Sequence, residues 1–321
     1  LRTTLLRFAD DDHALLLTLH HIAADGGSVP VLLEDLGKAY AAAVAGRLIG
    51  TALPPMPLQY ADYAGWQRRT CDDATLMEAR GYWRSQLADA PPLHGLPLDR
   101  KRSSEPAVFG AHFALPLPDE TIDALLQLAQ SRGATLFMAM HASLAALIAR
   151  WSGEQDLVIG TPVSGRQADS LDPLIGFFVD TIPLRSSLEG DPDFDTLLIR
   201  SRDTLLDAFT HRDLPFERLV ADLAPARIPG AAPIFQIMFS LDPEPLRMPA
   251  MPGLRVERCE SRTQPIPLTV DLDIAVERDD AGYRIRWHYR PDLFEAASIE
   301  RLALAFQRLL AAVIAQPEWP I

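Results

Sequence analysis

Only two cysteines, Cys71 and Cys259, occur in 321 residues, and they lie far apart without paired spacing. That excludes a disulfide framework. Neither thiol stands beside a histidine in the sequence, which leaves a cysteine nucleophile without support, and both read as structural. No apolar run reaches the roughly 18 residues that a membrane-crossing helix needs. The opening LRTTLLRF lacks the charged, apolar and cleavage regions of a signal peptide. A soluble, cytoplasmic protein with no membrane partner is therefore expected. Basic residues are in the minority, 30 Lys and Arg against 43 Asp and Glu, and the formal charge of −13 argues against nucleic acid as a partner. The one basic run, Arg100, Lys101 and Arg102, reads as a solvated loop. Internal repeats and low-complexity blocks are also missing.

What is present is a chain 48% hydrophobic and 23% charged, long enough to bury one large or two medium cores. Leu15, Leu16, Leu17 and Leu19 read as a short buried strand after the acidic turn Asp10–Asp12. His20 and His21 are expected to end it. Ser28 is an N-cap candidate, Pro30 suits a first helical turn, and Val31, Leu32, Leu36, Tyr40 and Ala43 recur at helical spacing up to Gly46. Strand side chains alternate between faces, so only one of the two histidines can look into a given cavity. The same divergence argues against a metal held by His20, His21 and Asp25. In the intervening turn Asp25 can brace the loop, and the glycines let a ligand approach the backbone.

Further along, a proline-rich linker with Pro54, Pro55 and Pro57 precedes the aromatic stripe Tyr60, Tyr63 and Trp66, which reads as packing. Helices are expected near 75–87, 119–130, 135–150, 194–209, 216–223 and 297–315. Strands are expected from Phe109, over LVIGTPVSG and FVDTIPLR, and at 236–241, 269–276 and 283–289. His211, Asp213 and Glu217 read as capping residues around Pro215, and His141 as a core or boundary residue.

The segment HHIAADG resembles the HHxxxDG signature of condensation domains from non-ribosomal peptide synthetases. Later segments resemble that family's further core motifs in the family's order: YADYAGWQ (Tyr60 to Gln67), GTPVSGR (Gly160 to Arg166), IGFFVDTIPLR (Ile175 to Arg185), HRDLPFERLV (His211 to Val220) and PIFQIMFSL (Pro233 to Leu241). The resemblance implies an α/β fold of two chloramphenicol acetyltransferase-like lobes in a V, around a tunnel reached by carrier domains from both faces. Two early family motifs have no counterpart here, so the first lobe reads as truncated. Residues 1–70 would be its remnant and 71–321 the second lobe.

The implied reaction is amide formation, in which the α-amine of an acceptor aminoacyl thioester attacks the thioester carbonyl of an upstream donor. The implied partners are donor and acceptor carrier domains and a neighbouring adenylation domain. Phosphopantetheine arms come from the carriers, so no covalently bound cofactor and no metal are expected. By the family match His21 is the catalytic candidate beside His20, either positioning the amine or taking its proton. Gly26 is either an oxyanion donor through its amide or a purely conformational glycine. Asp25 is implied to pair structurally with Arg185. Ser28 and Asp180 are candidate channel residues. Asp180 replaces the family's usual asparagine, exchanging a hydrogen-bond donor for an acceptor-only carboxylate. A second departure puts Pro265 and Pro267 where the family has a KFDL-like segment, removing two amide donors. A coenzyme A-dependent acyltransferase of the same fold and a non-catalytic docking module are the alternative readings.

Overall fold

Thr135 starts the most deeply buried helix, its hydroxyl accepting from the Met138 amide, and Gly153 closes it in the left-handed region at φ 79°. This helix, Leu136–Ser152, is apolar on all sides, which places it at the centre of a core rather than on a surface. The computed structural model describes residues 1–259 and 266–321 of the chain. Pro265 therefore lies outside the described residues, while Pro267 ends a two-residue strand.

In chain order the elements are β1 (Arg2–Arg7), β2 (His13–Thr18), α1 (Ser28–Val44), α2 (Tyr60–Thr70), α3 (Met77–Gln86), β3 (Phe109–Leu117), α4 (Asp119–Ser131), α5 (Leu136–Ser152), β4 (Asp156–Ser164), β5 (Val179–Ser187), α6 (Phe194–Thr210), α7 (Phe216–Leu223), β6 (Ile237–Asp242), β7 (Ile266–Pro267), β8 (Leu272–Asp279), β9 (Gly282–Tyr289) and α8 (Ala296–Ala315). They form two compact units. The first gathers Leu1–Asp72, Val163–Asp180 and a stretch from Leu246; the second holds most of the remainder.

The second unit is built on a seven-stranded sheet of order β5-β4-β6-β8-β9-β3-β7. β6 runs parallel to β4 and β8, whereas β9 is antiparallel to β8 and β3. Alternation decides its faces: Leu272, Ile274 and Val276 on β8 and Ile285, Trp287 and Tyr289 on β9 are buried. Residues of the other parity, Glu277, Arg284 and Arg286, form cross-strand ion pairs. Helices α4, α5, α6 and α8 pack as one group, with α8 also against β3 and β9.

The basic run does not behave as a solvated loop. Arg102 is folded inward, its guanidinium pairing bidentately with the buried Asp271, which Arg290 and His94 also contact. His94 Nδ1 accepts from the Leu96 amide, so its Nε2 carries the proton and donates to Asp271 at 3.0 Å. Burying one carboxylate requires several donors, and those donors come from two separate stretches of chain, the loop before β3 and the end of β9. His141 is fully enclosed in α5 with its Nδ1 2.8 Å from Ser201 Oγ, and burial pushes its imidazole down to about 4. His211 is stacked on Tyr82, and its Nδ1 donates to the Asp207 carbonyl at 2.8 Å. Glu217 occupies the first turn of α7.

Among the described residues no single helix is long and apolar enough to cross a membrane, and no group of three or more His, Cys, Asp or Glu residues could hold a metal ion.

In the first unit, β1 and β2 pair antiparallel as a two-stranded ribbon. The strand expected to be buried is not: Leu15 is 47% exposed, Leu16 46% and Leu5 67%. Two strands alone cannot cover either of their faces, so the apolar run is a strand signal without being a burial signal.

Candidate functional site

β2 ends at Thr18, two residues before the histidines, so His20 and His21 do not end a strand. They open a single 3-10 turn, His21–Ala23, and hydrogen bonding rather than strand alternation separates their roles. His20 Nδ1 accepts from the Ile22 amide at 3.1 Å, which places its neutral-form proton on Nε2 and makes it the cap of the turn. His21 Nδ1 lies 2.9 Å from the Ala24 carbonyl oxygen. A carbonyl only accepts, so this nitrogen carries the proton and Nε2 keeps its lone pair. Both side chains are solvent-exposed, and they hold opposite tautomers.

Asp25, 6% exposed, fastens the next turn. Its Oδ1 accepts from the Ser28 amide at 2.9 Å and from Arg166 Nη2 at 3.1 Å, and its Oδ2 accepts from the Phe178 amide at 2.9 Å. Asp25 therefore supplies the cap expected from Ser28, which becomes the first residue of α1. Ser28 is 1% exposed and is not a channel residue. Its Oγ accepts from the Gly176 amide at 3.0 Å and from Arg166 at 3.0 Å, and its one proton is shared out between Asp25 Oδ1 and the Gly176 carbonyl. Arg166 also donates to the carbonyls of Leu171 and Leu174, and its guanidinium lies 4.1 Å from the centre of the Phe178 ring.

The expected Asp25–Arg185 pair is not formed. Arg185 holds Asp156 through two hydrogen bonds, Nε to Oδ1 at 2.9 Å and Nη2 to Oδ2 at 2.7 Å, and caps the carbonyls of Gln86 and Ala88. The physical reason is that each group is already satisfied elsewhere, Asp25 by Ser28, Arg166 and the Phe178 amide, and Arg185 by Asp156 and two carbonyls. Arg166 instead follows Gly165, whose amide donates to the Phe178 carbonyl at 2.8 Å, so it enters beside the carboxylate. Asp180 is half-buried as the second residue of β5, and the groups that hold the Asp25 carboxylate are Ser28, Arg166 and the Phe178 amide.

Burial pushes the Asp25 carboxyl up, but the bonds from Ser28, the Phe178 amide and Arg166 together outweigh it and leave the group below the ordinary carboxylate range. A carboxyl depressed in the folded state stabilises fully above its unfolded pKa of about 4 and loses that contribution as pH falls through the native value. Melting temperatures of the wild type and Asp25→Asn, followed from pH 7 to about pH 2, are expected to converge in acid, the wild-type advantage being full above about pH 4 and fading as pH falls through the lower native value. Parallel curves would show that Asp25 is not held as a carboxylate.

Gly176 and Phe177, which sequence reasoning did not single out, complete the site together with Tyr60, which it read only as packing. Gly176 sits so close to Tyr60 that a Cβ would come within 2.2 Å of its ring. Phe177 meets the His21 imidazole at 4.9 Å between ring centres and 81° between planes. Tyr60 donates from its hydroxyl to the Phe177 carbonyl at 2.8 Å. The aromatic stripe is thus packing, with Tyr60 and Tyr63 against Phe178, but its first member also carries a polar contact to the loop facing His21. Glycine before two aromatics in IGFFVDT was the available signal for this close approach.

Gly26 is not in the left-handed region, and a Cβ there would meet nothing within 4 Å. Its amide has no acceptor among the described residues.

The sequence profile of the family described as Condensation domain matches residues 1–321. The chain is 40% identical over 321 residues to a linear gramicidin synthase of Brevibacillus parabrevis, covering all of this chain and 4% of that protein. It is also 40% identical over 321 residues to phosphinothricin tripeptide synthetase PhsC of Streptomyces viridochromogenes, covering 29% of it. Among solved structures it resembles the X-domain from teicoplanin biosynthesis, with a TM-score of 0.88 at 30% identity, over 99% of this chain and 73% of that one. The chain thus spans a small fraction of the length of these curated relatives.

Proposed function

Because the chain belongs to the condensation-domain family, we propose that it joins a donor acyl or peptidyl group to an acceptor amino acid, both presented as thioesters on carrier domains. The acceptor α-amine attacks the donor thioester carbonyl, the C–N bond forms, the C–S bond breaks, and the amine's proton ends on the released thiol. The observation that carries this reading is the His21 tautomer, an exposed imidazole whose Nδ1–H is committed to the Ala24 carbonyl and whose Nε2 is a free acceptor. Such a nitrogen either orients the amine by accepting its N–H or takes its proton as the tetrahedral intermediate forms. An α-amine with a reference pKa of about 8 is partly neutral near pH 7 already, so positioning alone contributes.

The Gly26 amide, close to the N-terminus of α1 and without a protein acceptor among the described residues, supports an oxyanion-donor role for this residue. Nothing in backbone conformation or packing requires glycine there, so its value lies in the open space in front of it. Gly26→Leu is expected to fold with the wild-type melting temperature and to form amide about 10²-fold more slowly, as misplacement of a tethered carbonyl by a side chain would cause. Wild-type turnover in Gly26→Leu would remove this residue from the site.

In this reading the carriers bring their own phosphopantetheine arms, an adenylation domain loads them, and residues 1–70 belong to the family's first lobe. A cytoplasmic location accompanies the reading. The test is amide formation between loaded donor and acceptor carriers, run beside free coenzyme A thioesters. Product from carriers alone supports the proposal. Product from coenzyme A thioesters with equal efficiency favours the acyltransferase reading, and no product with several well-loaded carrier pairs favours a docking module.

A further inference from the structure

We propose that Phe177 is a positioning residue for His21 and that Tyr60 holds Phe177 in place; this deepens the reading of His21 above and rests on it. The terminal torsion of a histidine is broad, so one hydrogen bond from Nδ1 to Ala24 leaves the ring free to rock about that contact. The Phe177 ring supplies a second restraint from a different direction, in an edge-to-face arrangement at 4.9 Å and 81°. Two restraints define the imidazole plane, and with it the direction of the Nε2 lone pair.

Burial does not explain Phe177, which is 36% exposed between the buried Gly176 and Phe178. Its backbone explains where it stands. Gly176 accepts from the Asp25 amide at 3.0 Å and exchanges bonds with Ser28, and the Phe178 amide donates to Asp25 Oδ2. Both neighbours of Phe177 are therefore fastened to the same turn that carries His21. The Phe177 carbonyl, between them, is held by Tyr60 Oη from the first residue of α2. A large exposed ring, locked on both sides and from below and aimed at an exposed imidazole, is arranged to orient that imidazole.

Phe177→Leu removes the ring, Phe177→Tyr keeps it, and Tyr60→Phe removes only the hydroxyl that steadies the loop. With loaded carriers, Phe177→Leu is expected to lower kcat about 10- to 100-fold with KM nearly unchanged, Phe177→Tyr to restore it, and Tyr60→Phe to fall between. The spectroscopic readout needs no turnover. The His21 imidazole C–H resonances, identified by their loss in His21→Ala, carry the ring current of Phe177 and are expected to shift in Phe177→Leu and remain in place in Phe177→Tyr. Unmoved resonances in Phe177→Leu, wild-type kcat in that variant, or a rise in KM alone overturns the proposal. Tyr60→Phe, which keeps every ring, decides by the same resonances if Phe177→Leu does not fold. If the wild-type chain makes no amide, the proposed function fails, while the resonances still decide whether Phe177 orients His21.

Discussion

His21→Ala is expected to form amide about 10²- to 10⁴-fold more slowly than the wild type, with an unchanged melting temperature. The side chain is exposed, and among the described residues its hydrogen bond is to the nearby Ala24 carbonyl and its ring contact to a half-open phenylalanine, so little of the fold depends on it. Turnover is not expected to vanish, because holding both tethered reactants together supplies a comparable or larger share of the acceleration. His20→Ala is expected to behave differently. It loses the acceptor for the Ile22 amide, a capping contact whose removal costs about 1 kcal/mol and slows the reaction only as far as the turn loosens. Single-turnover rates of the two variants with preloaded carriers separate these roles. Equal losses in both would mean that the turn, rather than the Nε2 of His21, is what the reaction requires.

The second large effect belongs to Asp25. Asp25→Ala leaves the buried Arg166 guanidinium without its carboxylate and the Phe178 amide without its acceptor, an outcome that costs roughly 3 to 5 kcal/mol. Against a total stability of about 5 to 15 kcal/mol, that is enough to populate unfolded chains at ambient temperature. Because the partner is Arg166 and not Arg185, a double-mutant cycle in urea distinguishes them. Asp25→Ala with Arg166→Ala is expected to be strongly non-additive, since removing one member already removes the pair. Asp25→Ala with Arg185→Ala is expected to add within about 0.5 kcal/mol, because Arg185 is occupied by Asp156 in the other compact unit. Coupling of Asp25 to Arg185 and none to Arg166 would overturn this arrangement.

Much of the architecture was legible in the sequence. α7 spans Phe216–Leu223 as the 3.6-residue spacing predicts, and α5 carries the threonine cap and terminal glycine that bound it. Local chemistry sufficed there because capping, periodicity and turn residues act within a few positions of one another. It failed where burial was inferred from composition. The leucines of β2 predict a covered strand and lie in an open ribbon, and Arg102 predicts solvent and lies against Asp271. Hydrophobicity says what a segment would gain by being covered, and only the neighbours decide whether it is.

The same division runs through the site. The sequence by itself determined the family, the order of elements and the turn that carries His21 and Asp25, because these follow from residue types at short, fixed spacings. The tertiary structure decided which arginine meets Asp25, that Ser28 is buried among hydrogen bonds, that the two histidines hold opposite tautomers and that Phe177 faces His21. Each of those depends on the loop before β5 being laid beside a turn some 150 residues earlier in the chain, as the Phe178–Asp25 bond, with a separation of 153, makes plain. A spacing rule has no access to a contact of that length, since closing it depends on every element folded in between.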